Sequence, residues 1–314
     1  MTPSRRPPRS APHQRLGSRQ QPGPRQRPGS GQRPGPRQQP GPRQQPAAPQ
    51  RDAIDFGLAG VAPMQPPPWF AGAAAELGIE FEGDDVGRLG RFLAMLLHAN
   101  ERANLTSVVE PDEAWRRHIL DSLTLIPVLA QLPEGARVID VGTGGGLPGM
   151  PLAISMPHLR FTLMDATEKK IQFLRQAAGA LGLANVECVQ ARAEDAGQDR
   201  GERGPTGRVG GHRERYDAVV ARALGPLRVL AELTVPFAKA QSEGLPGGVI
   251  ALIKGAKAEA ELAEAVGALR LLKASHAETL ETPTGRIVLL EKDARTPRMY
   301  PRRDGEPKRA PLGG

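Results

Sequence analysis

Cysteine is almost absent from the 314 residues, with Cys188 standing alone. One thiol excludes a disulfide framework, a four-cysteine metal site and any cluster held by several thiolates, and it suits a reducing compartment. Long apolar runs are missing as well. Charged or turn residues interrupt every stretch before it reaches the roughly 20 residues needed to span a bilayer. The Arg-rich start lacks the apolar segment of a secretory signal, so a soluble cytoplasmic protein without a membrane partner is expected. Residues 1–50 hold ten Arg but no Lys, Asp or Glu, and no Ile, Val, Phe, Trp or Tyr. Such a stretch cannot bury enough apolar surface to offset ordering entropy, which predicts a disordered tail with polyproline-like stretches.

What the chain does have is a net charge of +8, unevenly placed. Beyond the tail, 32 basic groups face 34 acidic ones, and between Arg51 and Ala294 the numbers are 26 and 32. The tail repeats PGPRQ at Pro22–Gln26, Pro34–Gln38 and Pro40–Gln44. Arginines without acidic partners favour polyanions, so the tail either binds RNA nonspecifically or is a solubilising extension with no dedicated partner. Four regions follow: a Pro/Arg/Gln-rich tail at 1–62, a helical cap at 63–133, an α/β domain at 134–294 and a basic C-terminal tail at 295–314. A monomer is expected.

Pro66–Trp69, PPPW, marks a linker or docking turn. Asp84 to Ala99 has an amphipathic period, with Val86, Leu89, Leu93, Leu96 and Leu97 on one face, and a second helix is predicted from Asp112 to Leu132 between two prolines. The period then alternates. Strand-like runs at 137–141, 160–165, 186–190, 216–221 and 249–254 are mostly separated by helical patterns, and Arg286–Lys292 supplies a last strand after a short apolar stretch at 269–272. Alternation of this kind argues for a parallel sheet with helices on both faces. Ligands bind such sheets at the carboxyl ends of the strands, near the topological switch point.

The first strand ends in Asp140-Val-Gly-Thr-Gly-Gly-Gly-Leu-Pro-Gly149. Its glycines let the backbone turn sharply and approach a ligand closely, although an ordinary tight strand-to-helix turn would use them too. A GxGxxG match at Gly144, Gly146 and Gly149 is weak evidence for a dinucleotide. Asp140, two residues before the first glycine, gives instead the order DxGxGxG of the S-adenosylmethionine loop in methyltransferases. The second strand ends in Asp165, placed to accept hydrogen bonds from ribose hydroxyls or, alternatively, to pair with Lys169.

VIDVGTGGGLPGMPL, preceded by NLTSV and RHILDS and followed by FLRQ and VVARAL, resembles the bacterial RsmG (GidB) family of 16S rRNA methyltransferases over most of Asp84–Lys292. The resemblance implies a helical cap before a Rossmann-like, seven-stranded class I methyltransferase domain with S-adenosylmethionine as cofactor. It also implies methylation of nitrogen 7 of a guanine in the 530 loop of 16S rRNA, on the free RNA or the small ribosomal subunit. The long tail, a Gly/Arg-rich segment at 197–215 and the basic C-terminus depart from the family pattern. For the cofactor it points to Gly142, Gly144, Gly146, Leu147, Asp165, Ala193, Glu194 and Arg222. Leu147 could equally be a core leucine, Glu194 a helix-start acid, and Arg222 the partner of a buried acid such as Asp140 or Asp217. Arg222, Lys254 and His118 are candidates for positioning the reactants. For RNA contacts the candidates are Asn104, Arg116, Lys169, Lys170 and Arg175, with turn formation or solvated helix charge as the plain alternatives. No metal ligand set is present.

The acceptor narrows on chemical grounds. Enzymes acting on exocyclic amines commonly carry an Asn/Asp-Pro-Pro-aromatic motif after the fourth strand, where this chain has Ala221-Arg-Ala-Leu-Gly-Pro226. Pyrimidine carbon 5 chemistry needs a cysteine nucleophile, but Cys188 lies mid-strand. Guanine nitrogen 7 offers a free lone pair and needs no general base. A small-molecule or other RNA methyltransferase, an NAD-dependent dehydrogenase and a nonenzymatic RNA-binding protein are the alternatives.

Overall fold

The chain alternates β and α from residue 137 because β-branched runs (VIDV, VVA, VIALI) are separated by Ala/Leu-rich helical stretches, and a computed structural model shows the outcome. It describes residues 54–313 except 205–206 and 243–245, together with Gly23. The expected disordered tail and its PGPRQ repeats otherwise lie outside the described residues.

Seven strands make one sheet: β1 Arg137–Val141, β2 Arg160–Asp165, β3 Val186–Gln190, β4 Ala218–Arg222, β5 Val249–Lys254, β6 Ala274–Thr282 and β7 Gly285–Lys292. Their order is β3-β2-β1-β4-β5-β7-β6, with β1 to β5 parallel and β7 antiparallel to both neighbours. The order reverses between β1 and β4, which opens a crevice at their carboxyl ends. Alternate residues of each central strand feed opposite faces. Val138, Val220 and Ala251 join the core beneath the cap. Ile139, Val219 and Ile250 join a second core under the helices Leu227–Thr234 and Ala258–Leu272.

The first cap helix runs Asp85–Ala103, four residues further than its period indicated, and Asn104 stops it in the left-handed region at φ 50°. Leu89, Leu93 and Leu96 are fully buried, whereas Val86 and Leu97 are half-buried. The second cap helix does not run unbroken to Leu132. It begins at Pro111–Ala114, passes through a six-residue π segment at Trp115–Leu120 and ends at Asp121–Leu123. A separate turn follows at Ile126–Leu129, because Pro127 has no N–H to continue the ladder. Trp69 of the PPPW turn donates to Asp112 at 2.9 Å and lies under the Arg116 guanidinium, so this turn docks on the cap.

Two boundaries are corrected. Residues 54–62 are not tail: Phe56 and Leu58 are buried in the same core as the cap helices and the sheet, so the cap has no core of its own. Residues 295–313 are not a tail either, since Tyr300, Pro307 and Leu312 are buried and Arg302 is bonded to the fully buried Glu232. The apolar stretch at 269–272 closes the Ala258–Leu272 helix, and the strand Ala274–Thr282 follows it.

Candidate cofactor site at the carboxyl edge of the sheet

The glycine loop is held from below. Asp140, with no exposure, accepts from the Thr143 hydroxyl at 2.6 Å and the Gly149 N–H at 2.8 Å through Oδ2. Its Oδ1 has no partner among the described residues, and burial pushes its carboxyl up to about 6. The pattern acid is therefore a brace that ties both ends of the loop to β1. Gly142 turns at φ 70°, and a Cβ there would stand 2.3 Å from the Leu224 side chain, which the loop after β4 lays across it. Gly144, at φ 59°, would bring a Cβ no nearer than 3.9 Å to its closest neighbour, the Gly142 carbonyl. Gly146, at φ 93°, leaves room for Met150 and Leu174. Leu147 is buried in the core.

Asp165 ends β2 beside the loop. Its Oδ2 accepts from the Gly144 N–H at 3.1 Å, and Oδ1 accepts from the Thr167 N–H at 2.8 Å. The cation it meets is Lys170, at 3.4 Å, and not Lys169, which donates to the Arg102 carbonyl. Ala193 and Glu194 follow β3, but the Glu194 carboxylate is engaged: Oε1 accepts from Gly305 N at 3.2 Å. Arg192 pairs with Asp304 at 2.9 Å. The C-terminal segment thus reaches the rim of the crevice beside the third strand, a contact that its basic composition did not signal.

Arg222 ends β4 and reaches into the cap. Its NH1 donates to Asp121 Oδ2 at 2.9 Å and to the Arg117 carbonyl. The partner is Asp121 of RHILDS; Asp140 and Asp217 are occupied elsewhere, Asp217 by Lys239 and the Arg137 N–H. The Thr284 hydroxyl donates to Asp121 Oδ1 at 2.5 Å, joining cap, β4 and the β6–β7 turn. No sequence signal marks Thr284. His118 is buried one turn away, with Nε2 bonded to the Thr106 hydroxyl at 2.8 Å. Burial, then the Arg222 charge, holds its imidazole below the ordinary histidine value. Arg222→Ala should therefore move the His118 titration upward, followed by the His118 ring protons in NMR; an unmoved titration would contradict the coupling. Because the folded state keeps His118 neutral, the unfolded chain takes up this proton first, and the group lowers stability as pH falls through the ordinary histidine range.

The remaining candidates separate. Lys254 is not free for phosphate: it pairs with Glu261 at 2.6 Å and donates to the Gly225 carbonyl at 2.8 Å. Glu261 also accepts from Leu227 N at 2.8 Å, so this pair fastens the loop after β4. That loop carries strain, with Ala223 at φ 58°. Asn104 is an exposed helix stop, and Arg116 pairs with Asp112 and Glu113 at the cap surface. Arg175 donates to the Cys188 carbonyl at 3.2 Å. Cys188 is half-buried, and burial pushes its thiol up to about 11, which removes it as a nucleophile at neutral pH. No cluster of three metal-ligating side chains, and no helix long and apolar enough to cross a membrane, occurs among the described residues.

A seven-stranded sheet of this order, a glycine loop after β1 and an acid ending β2 define a class I methyltransferase. A family model described as rRNA small subunit methyltransferase G matches residues 86–288, and the chain belongs to that family. Ribosomal RNA small subunit methyltransferase G of Sorangium cellulosum is 45% identical over 246 residues, covering 78% of this chain and 96% of the relative. The protein of the same name from Pelotomaculum thermopropionicum is 39% identical over 245 residues, covering 76% and 95%. Among solved structures, a SAM dependent methyltransferase from Aquifex aeolicus is 17% identical with a TM-score of 0.41, covering 56% of this chain and 92% of its own. The methyl donor of this class is S-adenosylmethionine. The residues fit it: nothing but the Gly142 carbonyl, at 3.9 Å, approaches the Cβ side of Gly144, Asp165 presents carboxylate oxygens beside it, and Asp140 Oδ1 is a buried acceptor without a donor among the described residues.

Proposed function

We propose that this protein methylates nitrogen 7 of a guanine in the 530 loop of 16S rRNA, working in the cytoplasm. The observation that carries this reading is the Arg222–Asp121–Thr284 bridge, which fixes the cap beside the glycine crevice and uses residues of the very motifs, RHILDS and VVARAL, that mark the family. S-adenosylmethionine supplies an electrophilic methyl on a sulfonium. The chain's own task is to orient the guanine so that its lone pair lies in line with that methyl, and to receive the charge that passes to the base. No proton leaves nitrogen 7 before attack, so the reaction calls for no general base, and the strand-end acid Asp165 is engaged in positioning the loop backbone. Gly142, Gly144 and Gly146 would approach the methionine part, Asp165 would take the ribose hydroxyls, and Ala193 and Glu194 would flank the adenine. Arg222 and His118, side by side where the cap meets β4, would position the reactants, with Asn104, Arg116, Lys169 and Arg175 on the RNA side.

A small-molecule acceptor is the second reading, because the loop and Asp165 would serve it equally. Deleting the gene should remove N7-methylguanine from the 530 loop in mass-spectrometric mapping of 16S rRNA, and complementation should restore it. Persistence of that modification in the deletion strain would defeat the proposal.

A further inference from the structure

Five arginines converge at the amino-terminal edge of the sheet, away from the glycine crevice. Arg200 follows the Ala193–Gln198 helix, Arg213 and Arg215 precede β4, and Arg295 and Arg298 follow β7. With Glu214, Thr296 and Pro297 they line a pocket of about 540 Å³, a size common among ligand sites. The pocket joins the two segments that depart from the family pattern, and its far side, residues 295–298, lies beyond the span matched by the family model.

Arg213 is the floor and the fastening. It is 5% exposed, and its two terminal nitrogens donate to the carbonyls of Gly197, Tyr300, Thr296 and Pro297 at 2.6 to 3.2 Å. These partners are neutral, so the charge is solvated by backbone dipoles and not cancelled. Glu214, the one acid in the lining, spends its Oε1 on the Thr296 N–H and stands 3.8 Å from the fully buried Lys292. Arg200, Arg295 and Arg298 have no carboxylate partner among the described residues, and the last two are exposed. Among the residues lining the pocket, five arginines face a single acid, Glu214. Like charges gathered in a concavity raise the local potential, and an anion would lower it.

We propose that this pocket binds phosphate groups of the RNA backbone and gives the enzyme a second hold on its substrate, remote from the cofactor crevice. Guanidinium forks match phosphate oxygens in pairs. Because such contacts read no bases, the pocket would set affinity and register and leave the choice of guanine to the crevice. The identity of the RNA rests on the rRNA reading above; the pocket's preference for phosphodiester does not.

The test uses the full chain with Arg295→Ala and Arg298→Ala combined, which leaves the Arg213 fastening intact. Fluorescence anisotropy with an rRNA fragment should show about tenfold weaker binding and a salt dependence shallower by about one to two phosphate contacts. The KM for RNA should rise in step, with kcat and S-adenosylmethionine affinity unchanged. The double Lys variant at the same positions should recover most of the loss, and Lys257→Ala with Lys308→Ala, equal in charge removed, should change affinity less than about twofold. Unchanged RNA affinity and salt slope would overturn the proposal, as would an equal loss in the Lys257/Lys308 control, or selective loss of binding to an acidic peptide in place of RNA. A parent protein that binds RNA through these arginines but methylates none of it would sink the methylation reading and support the pocket.

Discussion

Asp165→Ala is expected to weaken S-adenosylmethionine binding at least about a hundredfold in calorimetry while the circular dichroism spectrum stays that of the parent. Two losses combine. On the proposed reading the ribose hydroxyls would lose a carboxylate acceptor, and the Gly144 and Thr167 N–H groups lose the oxygens that pin them at 3.1 and 2.8 Å. Hydrogen bonds to charged groups contribute about 1.5–3 kcal/mol each, so two of them reach about two powers of ten even at the low end. Asp165→Asn keeps one acceptor oxygen and should fall between. Lys170→Ala removes a 3.4 Å ion pair that is partly open to solvent and should cost far less. An affinity for Asp165→Ala within about threefold of the parent would remove Asp165 from the cofactor site.

Arg302→Ala should lower the melting temperature by about 10 °C. Glu232 has no exposure, and Arg302 covers it with Nε at 2.9 Å, NH2 at 2.6 Å and the backbone N–H at 2.8 Å. Removing one partner of a buried pair leaves an uncompensated charge and costs about 3–5 kcal/mol. In a chain of this size each kcal/mol moves the midpoint by about 2–4 °C. Replacing both residues by Met should recover most of the loss, since a buried pair exchanged for apolar groups of similar volume is often close to neutral. A shift under about 2 °C for Arg302→Ala would mean that the C-terminal segment is not fastened to the Leu227–Thr234 helix as described.

The parallel strands were legible because their apolar runs obey a local rule, and the glycine loop because backbone turning is a requirement on single residues. Asp165 could be found from its place at a strand end. The Arg222 partner could not, since Asp121 and Thr284 lie 101 and 62 positions away and nothing local relates them. Lys254 had the right address for a substrate-facing group, yet Glu261, seven residues on and across the turn into the next helix, neutralises it. Composition misled at the C-terminus: six basic groups suggested a solvated tail, whereas Tyr300 and Leu312 fasten the segment to the sheet's second core, Pro307 is buried between them, and Gly305 bonds Glu194.

On the proposed function, the crevice between β1 and β4 transfers a methyl group to nitrogen 7 of one rRNA guanine. Its most direct test incubates purified protein with small ribosomal subunits and methyl-labelled S-adenosylmethionine, then maps the label by mass spectrometry. Label is expected on nitrogen 7 of a single guanine in the 530 loop, and none with Asp165→Ala. Label on another base or position, or transfer to a small molecule with the rRNA unlabelled, would contradict it.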